Sequence, residues 1–342
     1  MNHSELLTEV LDHRAKRQEG RREFMKVAAG SSAAVAGAAF LASCGGGDGG
    51  GSVSTPAPSP SASGTAFTDF DILNFALNLE YLEAEFYAYA TTGAGLAANL
   101  RTGIGQQGAV TPGKAVNFTD PVVRQYAREI AADEIAHVAF LRRVLGTTNA
   151  VAEPAIDVGF GVNNAFSVAA RSAGLVGAGQ AFDPYATDEA FLLGAFIFED
   201  VGVTAYKGAA PLLSRTYIEA AAGILAAEAY HAGLVRTVLY RKGLATPAPA
   251  LDLIGATVAI SDARDRLDGA TDLDQGIRAT TTTTGGVTTT TSNIVPVDAN
   301  AIAFSRSAAQ VLNIVYLSPT AVSAGGFFPS GVNGNIRVAQ AG

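Results

Sequence analysis

The most constraining feature of this 342-residue sequence is a glutamate that recurs on the apolar face of four separate helical segments. Two of the four are followed by a histidine three residues later, in Glu134-x-x-His137 and Glu228-x-x-His231. The i, i+3 spacing puts carboxylate and imidazole on the same helix face. A fold that buries all four faces together therefore buries four carboxylates, and something must compensate their charge.

Apolar residues at steps of three and four predict the four helical segments, and a long connection separates the second from the third. The segments run from about Thr68 to Ala90, from Asp120 to Gly146, from Thr187 to Gly208 and from Ser214 to Gly243. About 40 residues lie between the second and third, which is too many for a tight turn. The pattern predicts an all-α, ferritin-like four-helix bundle with a long crossover, and not a simple up-down-up-down bundle.

The same glutamates and histidines predict a site for two metal ions. A lone Glu from each of two helices plus a Glu-x-x-His pair from each of the other two is the ligand set of di-iron and di-manganese carboxylate bundles. Oxygen and imidazole donors suit iron or manganese. The predicted ligands are Glu80, Glu134, His137, Glu199, Glu228 and His231. Taken singly, each of these residues could instead be a hydrogen-bonded core histidine or a solvated glutamate.

Two tyrosines repeat at the same distance from the two lone glutamates. Tyr87 follows Glu80 by seven residues, and Tyr206 follows Glu199 by seven. We expect the two tyrosines to hydrogen-bond to ligand carboxylates, which makes them candidate catalytic residues. The alternative is that both are core aromatics.

One position distinguishes the two lone-glutamate helices. Glu83 lies one turn after Glu80, where Gly202 occupies the corresponding place after Glu199. Glu83 is a candidate additional ligand or proton relay; otherwise it is an edge residue in solvent. Gly202 either leaves space for oxygen or peroxide beside the metals or permits close helix packing, and we favour packing.

The first 43 residues read as a signal peptide. Arg21-Arg22 opens a twin-arginine pattern, and an apolar run of small residues ends in Leu41-Ala42-Ser43-Cys44, which resembles a bacterial lipobox. The pattern predicts export by the Tat pathway and a lipid anchor on Cys44, the only cysteine. Ordinary cleavage nearby would instead leave the protein soluble in the periplasm. The Gly/Ser/Pro-rich residues 44–65 are expected to form a flexible linker.

The remaining chain divides into the bundle at 66–247 and a C-terminal extension at 248–342 that we expect to pack on it. One further helix is predicted over 251–268. The Thr-rich residues 280–291 are expected to form an exposed loop. Asp298 to Leu317 is expected to be an amphipathic helix capped by Asp298.

Composition narrows the function classes. Hydrophobic residues make up 48% of the chain and charged residues only 16%, so a sizeable core can be buried. The formal net charge of −8 argues against nucleic acid as a partner. The sequence leaves open whether the protein forms a homo-oligomer.

Several segments resemble the ferritin-like family that includes the plant desiccation-related proteins and their bacterial relatives. They are Leu73–Tyr87, Phe160–Tyr185, Phe196–Tyr206, Ala227–Gly233, Val311–Tyr316 and Gly326–Pro329. The resemblance covers nearly all of residues 66–340. It implies the ferritin-like fold and the six ligands named above with no gap, and it suggests a role in stress or desiccation.

Three functions remain in competition at this point. The first is a redox enzyme whose metals react with oxygen or peroxide, as an oxidase or a catalase-like scavenger. The second is a protein that binds and sequesters iron. The third is a non-enzymatic protective protein whose metal site only stabilises the bundle. A closed storage cage is disfavoured, because a membrane tether and a long extension would obstruct the shell.

Overall fold

The structure is a computed structural model that describes residues 67–245 and 252–341. The predicted signal peptide, Cys44 and the predicted linker lie outside the described residues. No helix in the described part of the chain is long and apolar enough to cross a membrane.

Four long helices carry the fold, and shorter helices occupy the connections and the extension. In chain order, the described α-helices are α1 (Asp69–Thr92), α2 (Ala98–Arg101), α3 (Pro121–Leu145), α4 (Ala165–Ser172), α5 (Asp188–Ala209), α6 (Arg215–Ala245), α7 (Leu253–Asp268) and α8 (Ala308–Val315). The ends of α1, α3, α5 and α6 agree with the predicted ends to within two residues. The all-α prediction is therefore confirmed.

Side chains just outside the helices fix where three of the long helices begin. Thr68 and Asp71 form a reciprocal capping box at the start of α1. The Asp120 carboxylate accepts from two backbone N–H groups at the start of α3, directly before Pro121. Thr187 caps α5 through the backbone N–H of Ala190. These local signals explain why the periodic pattern located the helices well.

The long helices pack as two antiparallel pairs. Asn74, early in α1, hydrogen-bonds to Asn149, just beyond the end of α3. Lys242, late in α6, pairs with Glu189 at the start of α5. Hydrogen bonds between the middles of α1 and α5 show that these helices are also antiparallel. Helices α3 and α5 therefore run in the same direction, which is why the connection between them must return along the bundle.

That crossover is an ordered part of the core. Its strand β2 (Ile156–Asp157) pairs in parallel with β1 (Val110–Thr111), which lies between α2 and α3. Helix α4 places Phe166 against Phe86 of α1 and Phe198 of α5, with ring centroids 5.3 and 5.4 Å apart. The crossover thus closes one side of the bundle with aromatic packing.

The described part of the extension packs on α5 and α6. Helix α7 contacts both, and α8 contacts α5 and α7. A buried network of charges joins the extension to the bundle. Its cations are Arg236, Arg264 and Arg306, and its anions are Asp200, Asp268 and Asp274. Because charges of both signs are present in equal number, the network can be buried without an isolated charge.

The Thr-rich tract is a β-hairpin, so the expected loop was wrong. Strands β3 (Thr280–Thr284) and β4 (Val287–Thr291) pair antiparallel, and their residues are exposed. Gly285 and Gly286 form the two-residue turn, with φ of 58° and 80°. Consecutive positive φ values suit a hairpin turn, and β-branched threonines favour strands. The predicted loop was based only on the low complexity of the tract. It took no account of the glycine turn or of the preference of threonine for strands.

The helix expected from Asp298 to Leu317 was also too long. The observed α8 begins after Ser307, whose side chain forms a capping box with Gln310. The carboxylate of Asp298 instead accepts from the backbone N–H groups of Asn300 and Ile302, which makes a local turn. Arg306, just before α8, pairs with Asp268 in the buried charge network. A helix continuing through this residue would point its side chain away from that network.

Candidate metal centre

The long helices bring seven acidic and histidine side chains together in the middle of the bundle. They are Glu80 and Glu83 of α1, Glu134 and His137 of α3, Glu199 of α5, and Glu228 and His231 of α6. Six are buried, and His137 is partly exposed. All six predicted ligands and Glu83 therefore meet at one place.

A first group of donors lies on the side of α1 and α3. One donor atom each from Glu80, Glu134, His137 and Glu228 lies within 4.8 Å of the others. The Nδ1 atom of His137 is 3.2 Å from both Glu80 Oε2 and Glu134 Oε2. Four donors from three helices thus surround a single position.

A second group lies toward α5 and α6. Donor atoms of Glu134, Glu199 and His231 are again within 4.8 Å of one another. His231 Nδ1 is 2.9 Å from Glu134 Oε1 and 3.6 Å from Glu199 Oε2. Glu134 belongs to both groups, so its carboxylate lies between two neighbouring positions and can bridge them.

The buried donors are not satisfied by the protein itself. Atoms without a hydrogen-bond partner in the described residues are Glu80 Oε2, Glu83 Oε2, Glu134 Oε1, Glu199 Oε2, Glu228 Oε2 and His231 Nδ1. An unpaired buried carboxylate costs several kcal/mol, and two divalent cations would remove that cost. Oxygen and imidazole donors suit iron or manganese, so the residues present fit a metal centre.

The two repeated tyrosines bond across the bundle to the lone glutamates. The Tyr87 hydroxyl of α1 donates to Glu199 Oε1 of α5, and the Tyr206 hydroxyl of α5 donates to Glu80 Oε1 of α1. Each bond leaves the second carboxylate oxygen free toward the centre. The predicted hydrogen bonds to ligand carboxylates are present, while a catalytic role for the tyrosines stays a prediction.

Asp133 orients one histidine, and the sequence analysis missed it. Its Oδ2 atom is 3.1 Å from His231 Nε2, so Nε2–H can donate to it and Nδ1 is left as the acceptor facing the centre. Asp133 directly precedes Glu134 in the chain. That adjacency was a signal, but using it required knowing that α3 faces α6.

Burial, together with the crowding of carboxylates, raises most of their pKa values. Burial, followed by the charges of neighbouring carboxylates, raises the pKa of Glu83, Glu134 and Glu228 well above the usual range. Burial also raises the pKa of Glu199 to about 8. Burial acts the same way on Glu80, but His137, whose Nδ1 lies 3.2 Å from Glu80 Oε2, outweighs burial and lowers that pKa. These surroundings disfavour the ionised carboxylates, which cations between them would stabilise.

The two imidazoles respond differently to the same surroundings. Burial acts to lower both pKa values. For His137, the neighbouring Glu80 carboxylate prevails over burial and raises the pKa. For His231, burial prevails over Asp133 and the pKa is lowered. His231 is thus the more readily available as a neutral donor.

Gly202 makes room for the Glu228 carboxylate of the centre. A Cβ atom at this position would collide with Glu228 Oε2, while its distance of 3.5 Å from Glu83 Oε1 would be an ordinary contact. From the sequence, close helix packing and space for a small substrate were the two candidate reasons for this glycine. In the structure the space is filled by the Glu228 side chain.

A groove of about 900 Å³ lies at the surface between α3 and α6. Its walls include Tyr126, Ile130 and Leu234. His231 and Asp133 also line it, whereas the carboxylates of the centre do not, so the groove meets His231 on the side that faces Asp133.

Comparisons with known proteins agree with this architecture. A sequence profile of the ferritin-like domain matches residues 68–241. The chain is 27% identical over 286 residues to ferritin-like catalase Nec2 of Nesocodon mauritianus, covering 82% of this chain and 88% of that protein. It is 29% identical over 273 residues to desiccation-related protein PCC13-62 of Craterostigma plantagineum, covering 78% and 83%. No solved structure matches the chain significantly.

The matched region includes the four helices that supply every donor of the centre, and carboxylate and histidine clusters of this kind fit a metal-binding protein. It spans about half of the chain, and the relatives extend the similarity into the extension. The chain therefore belongs to the ferritin-like domain family and is related to the desiccation-related proteins.

Proposed function

We propose that the protein binds two iron or manganese ions and disproportionates hydrogen peroxide. The observation that carries the proposal is the cluster of buried, unpartnered donors shared by two adjacent positions. A relative named as a ferritin-like catalase supports peroxide as the substrate. A relative named as desiccation-related supports a protective setting.

The bound ions would supply a pair of centres that take two electrons from one peroxide and return them to another, so that two H2O2 give one O2 and two H2O. The chain supplies the surroundings for this reaction. Tyr87 and Tyr206 hold the terminal carboxylates of Glu199 and Glu80 in place. The groove between α3 and α6 opens onto the outer side of His231, and apolar side chains line the cavity beside Glu83.

The test measures oxygen release by the metal-loaded protein. Wild type should release one O2 per two peroxides consumed. Glu199→Ala and His231→Ala should lose at least about a hundredfold of this activity, because each removes a donor. Glu219→Gln, an exposed carboxylate of α6, is the matched control and should keep full activity. A wild type that holds two ions and releases no oxygen would contradict the proposed reaction.

Iron sequestration is the second candidate, favoured by the same buried carboxylates. It predicts uptake of many more than two irons per chain, accompanied by oxidation of Fe(II). Metal analysis after aerobic loading separates the candidates. Two irons per chain with peroxide turnover support the enzyme, and continued iron uptake without peroxide turnover supports sequestration.

We also propose that the protein is exported and tethered to the membrane through Cys44. The twin arginines Arg21-Arg22 and the sequence Leu41-Ala42-Ser43-Cys44 support this proposal. Export matches a metalloprotein that folds and loads its ions before transport. A Cys44→Ser variant should move from the membrane to the soluble fraction, and Arg21→Lys with Arg22→Lys should remain in the cytoplasm. Unchanged fractionation of both variants would contradict the proposal.

A further inference from the structure

The two halves of the bundle supply donors in matching order except at one position. Helices α1 and α3 provide a lone Glu, a Tyr and a Glu-x-x-His pair, and α5 and α6 provide the same set. Glu83, three residues after Glu80, has no acidic counterpart, because Gly202 is three residues after Glu199. The two metal positions are therefore not equivalent.

The Glu83 carboxylate packs next to Gly202. A Cβ atom on Gly202 would overlap the carboxylate of Glu228 and would lie in ordinary contact with Glu83 Oε1, at 3.5 Å. Donor atoms of Glu83, Glu199 and Glu228 lie within 4.8 Å of one another. The Glu83 carboxylate thus crosses from α1 into the space between α5 and α6.

In the described residues, the Glu83 carboxylate has no cation or hydrogen-bond donor that compensates its charge. Its side chain is buried, with 7% of the residue exposed, and Oε2 has no hydrogen-bond partner there. Behind it is a cavity of about 20 Å³ whose other lining residues are apolar or Gly202, including Leu82, Phe198 and Ile314. With an apolar wall on one side and acidic groups on the other, this carboxylate is stable in its ionised form only with a cation between those groups.

We propose that Glu83 is a further protein donor of the second metal position. Its donor atom lies together with those of Glu199, which belongs to the second group, and of Glu228, which belongs to the first. Glu83 can therefore reach the second position beside Glu199. The inference rests on the proposed two-metal centre, and it assigns to that centre a fifth carboxylate.

The fifth carboxylate also changes the charge balance. Four carboxylates neutralise two divalent ions, so a fifth leaves one negative charge until one ion becomes trivalent. Glu83 should therefore stabilise the oxidised state of the second ion relative to its reduced state. Removing the charge should raise the reduction potential of the centre.

The experiment titrates the full chain with Mn(II) without oxygen and follows both binding steps by calorimetry. Wild type should bind two ions. Glu83→Gln keeps the shape but loses the charge; it should bind the first ion as wild type does and the second at least about tenfold more weakly. Glu83→Ala should weaken the second step further. Glu219→Gln is the control for removing one acidic charge.

A potentiometric titration of the iron-loaded protein gives the second readout. The midpoint potential of Glu83→Gln should be higher than that of wild type and of Glu219→Gln. Equal binding steps and equal potentials in a folded Glu83→Gln variant would overturn the inference. A wild type that binds two ions but does not turn over peroxide would overturn only the proposed function, because this test does not depend on activity. A folded wild type that binds no metal would overturn both.

Discussion

The two halves of the bundle carry the same chemistry in different scaffolds. In each half a lone-glutamate helix pairs with a Glu-x-x-His helix, and a tyrosine bonds across to the other half. The differences lie around this repeat. His231 has Asp133 behind it, whereas Ala227 occupies the matching place before Glu228. Short repeated motifs therefore place the metal donors in both halves, while the residues that hold those donors in position differ between the halves.

The arginines eight residues after each Glu-x-x-His glutamate show the same contrast. Arg142 follows Glu134 and Arg236 follows Glu228. Arg142 is partly exposed and donates to Tyr81 and to carbonyls of the chain before β1. Arg236 is fully buried, pairs with Asp200 at 2.7 Å and donates to four carbonyls of the extension. The second half, α5 and α6, is therefore stabilised by its contacts with the extension. The first half, α1 and α3, is stabilised less by its contacts with the chain before β1.

Replacing these two arginines should give the largest difference. Arg236→Ala leaves Asp200 buried with only Arg264 nearby, at 3.4 Å, and should lower the free energy of unfolding by about 3–5 kcal/mol. Arg142→Ala should cost about 1 kcal/mol, because water can replace part of its hydrogen bonding. Denaturant unfolding of both variants measures the two values. Equal losses would contradict the asymmetric support described here.

The next largest effect is expected at Gly202. Gly202→Ala adds a Cβ that collides with Glu228 Oε2, so the affinity for the second ion should fall by about a hundredfold or more. Gly223→Ala is the matched control on α6, because a Cβ there meets no atom within 4 Å. The control should gain about 0.5–1 kcal/mol of stability and bind both ions normally. Metal titration of Gly202→Ala with wild-type affinities would show that Glu228 moves aside freely.

A smaller effect is expected from the support of His231. Asp133→Asn should weaken metal binding by about tenfold, because the amide holds the imidazole less firmly. Glu129→Gln, one turn earlier on the same groove, controls for the loss of a negative charge near the entrance. Calorimetric titration gives both affinities. If the two variants lose affinity equally, Asp133 acts through its charge and not by orienting His231.

The smallest effect is expected from a buried cluster of the first half in which two acidic groups share one cation. Glu85 and Glu153 share one partner, Arg101, and burial raises the pKa of Glu153 to about 8. Between a pH of about 4.5 and 8, Glu153 therefore carries a proton in the folded state but has lost it in the unfolded state. Stability should therefore fall as pH rises through this window, by up to about 1.4 kcal/mol between pH 6 and 7.

Glu153→Gln removes this titration and should flatten the dependence. Unfolding curves of wild type and variant at pH 6 and 7 measure the two slopes at fixed ionic strength. Parallel slopes would show that Glu153 stays ionised in the folded state across this pH range.

Much of the bundle and its centre could be predicted because the signals are local. Helical periodicity with the caps at Thr68 and Asp120 fixed the helices, and the i, i+3 spacing fixed which donors share a face. The membership in the ferritin-like family is confirmed. Features that depend on which elements become neighbours were not predictable in the same way. The Asp133–His231 contact and the approach of Glu83 to Glu199 and Glu228 both require the packed bundle.

The extension was harder to predict for a related reason. The prediction for Thr280–Thr291 rested on composition, and the prediction for Asp298–Leu317 rested on a single capping residue. The turn glycines Gly285-Gly286 and the second capping site at Ser307 decided the outcome instead. Arg306 is held by buried aspartates from residues far along the chain, which no local pattern contains.

Metal content per chain tests the central claim most directly. The full chain, loaded anaerobically with Mn(II) and freed of unbound metal, should carry two ions. Glu219→Gln should also carry two, and Glu134→Gln, which removes the charge of the carboxylate shared by both donor groups, should lose at least one. A well-folded wild type with no bound metal, or a Glu134→Gln variant with wild-type content, would contradict the two-metal centre.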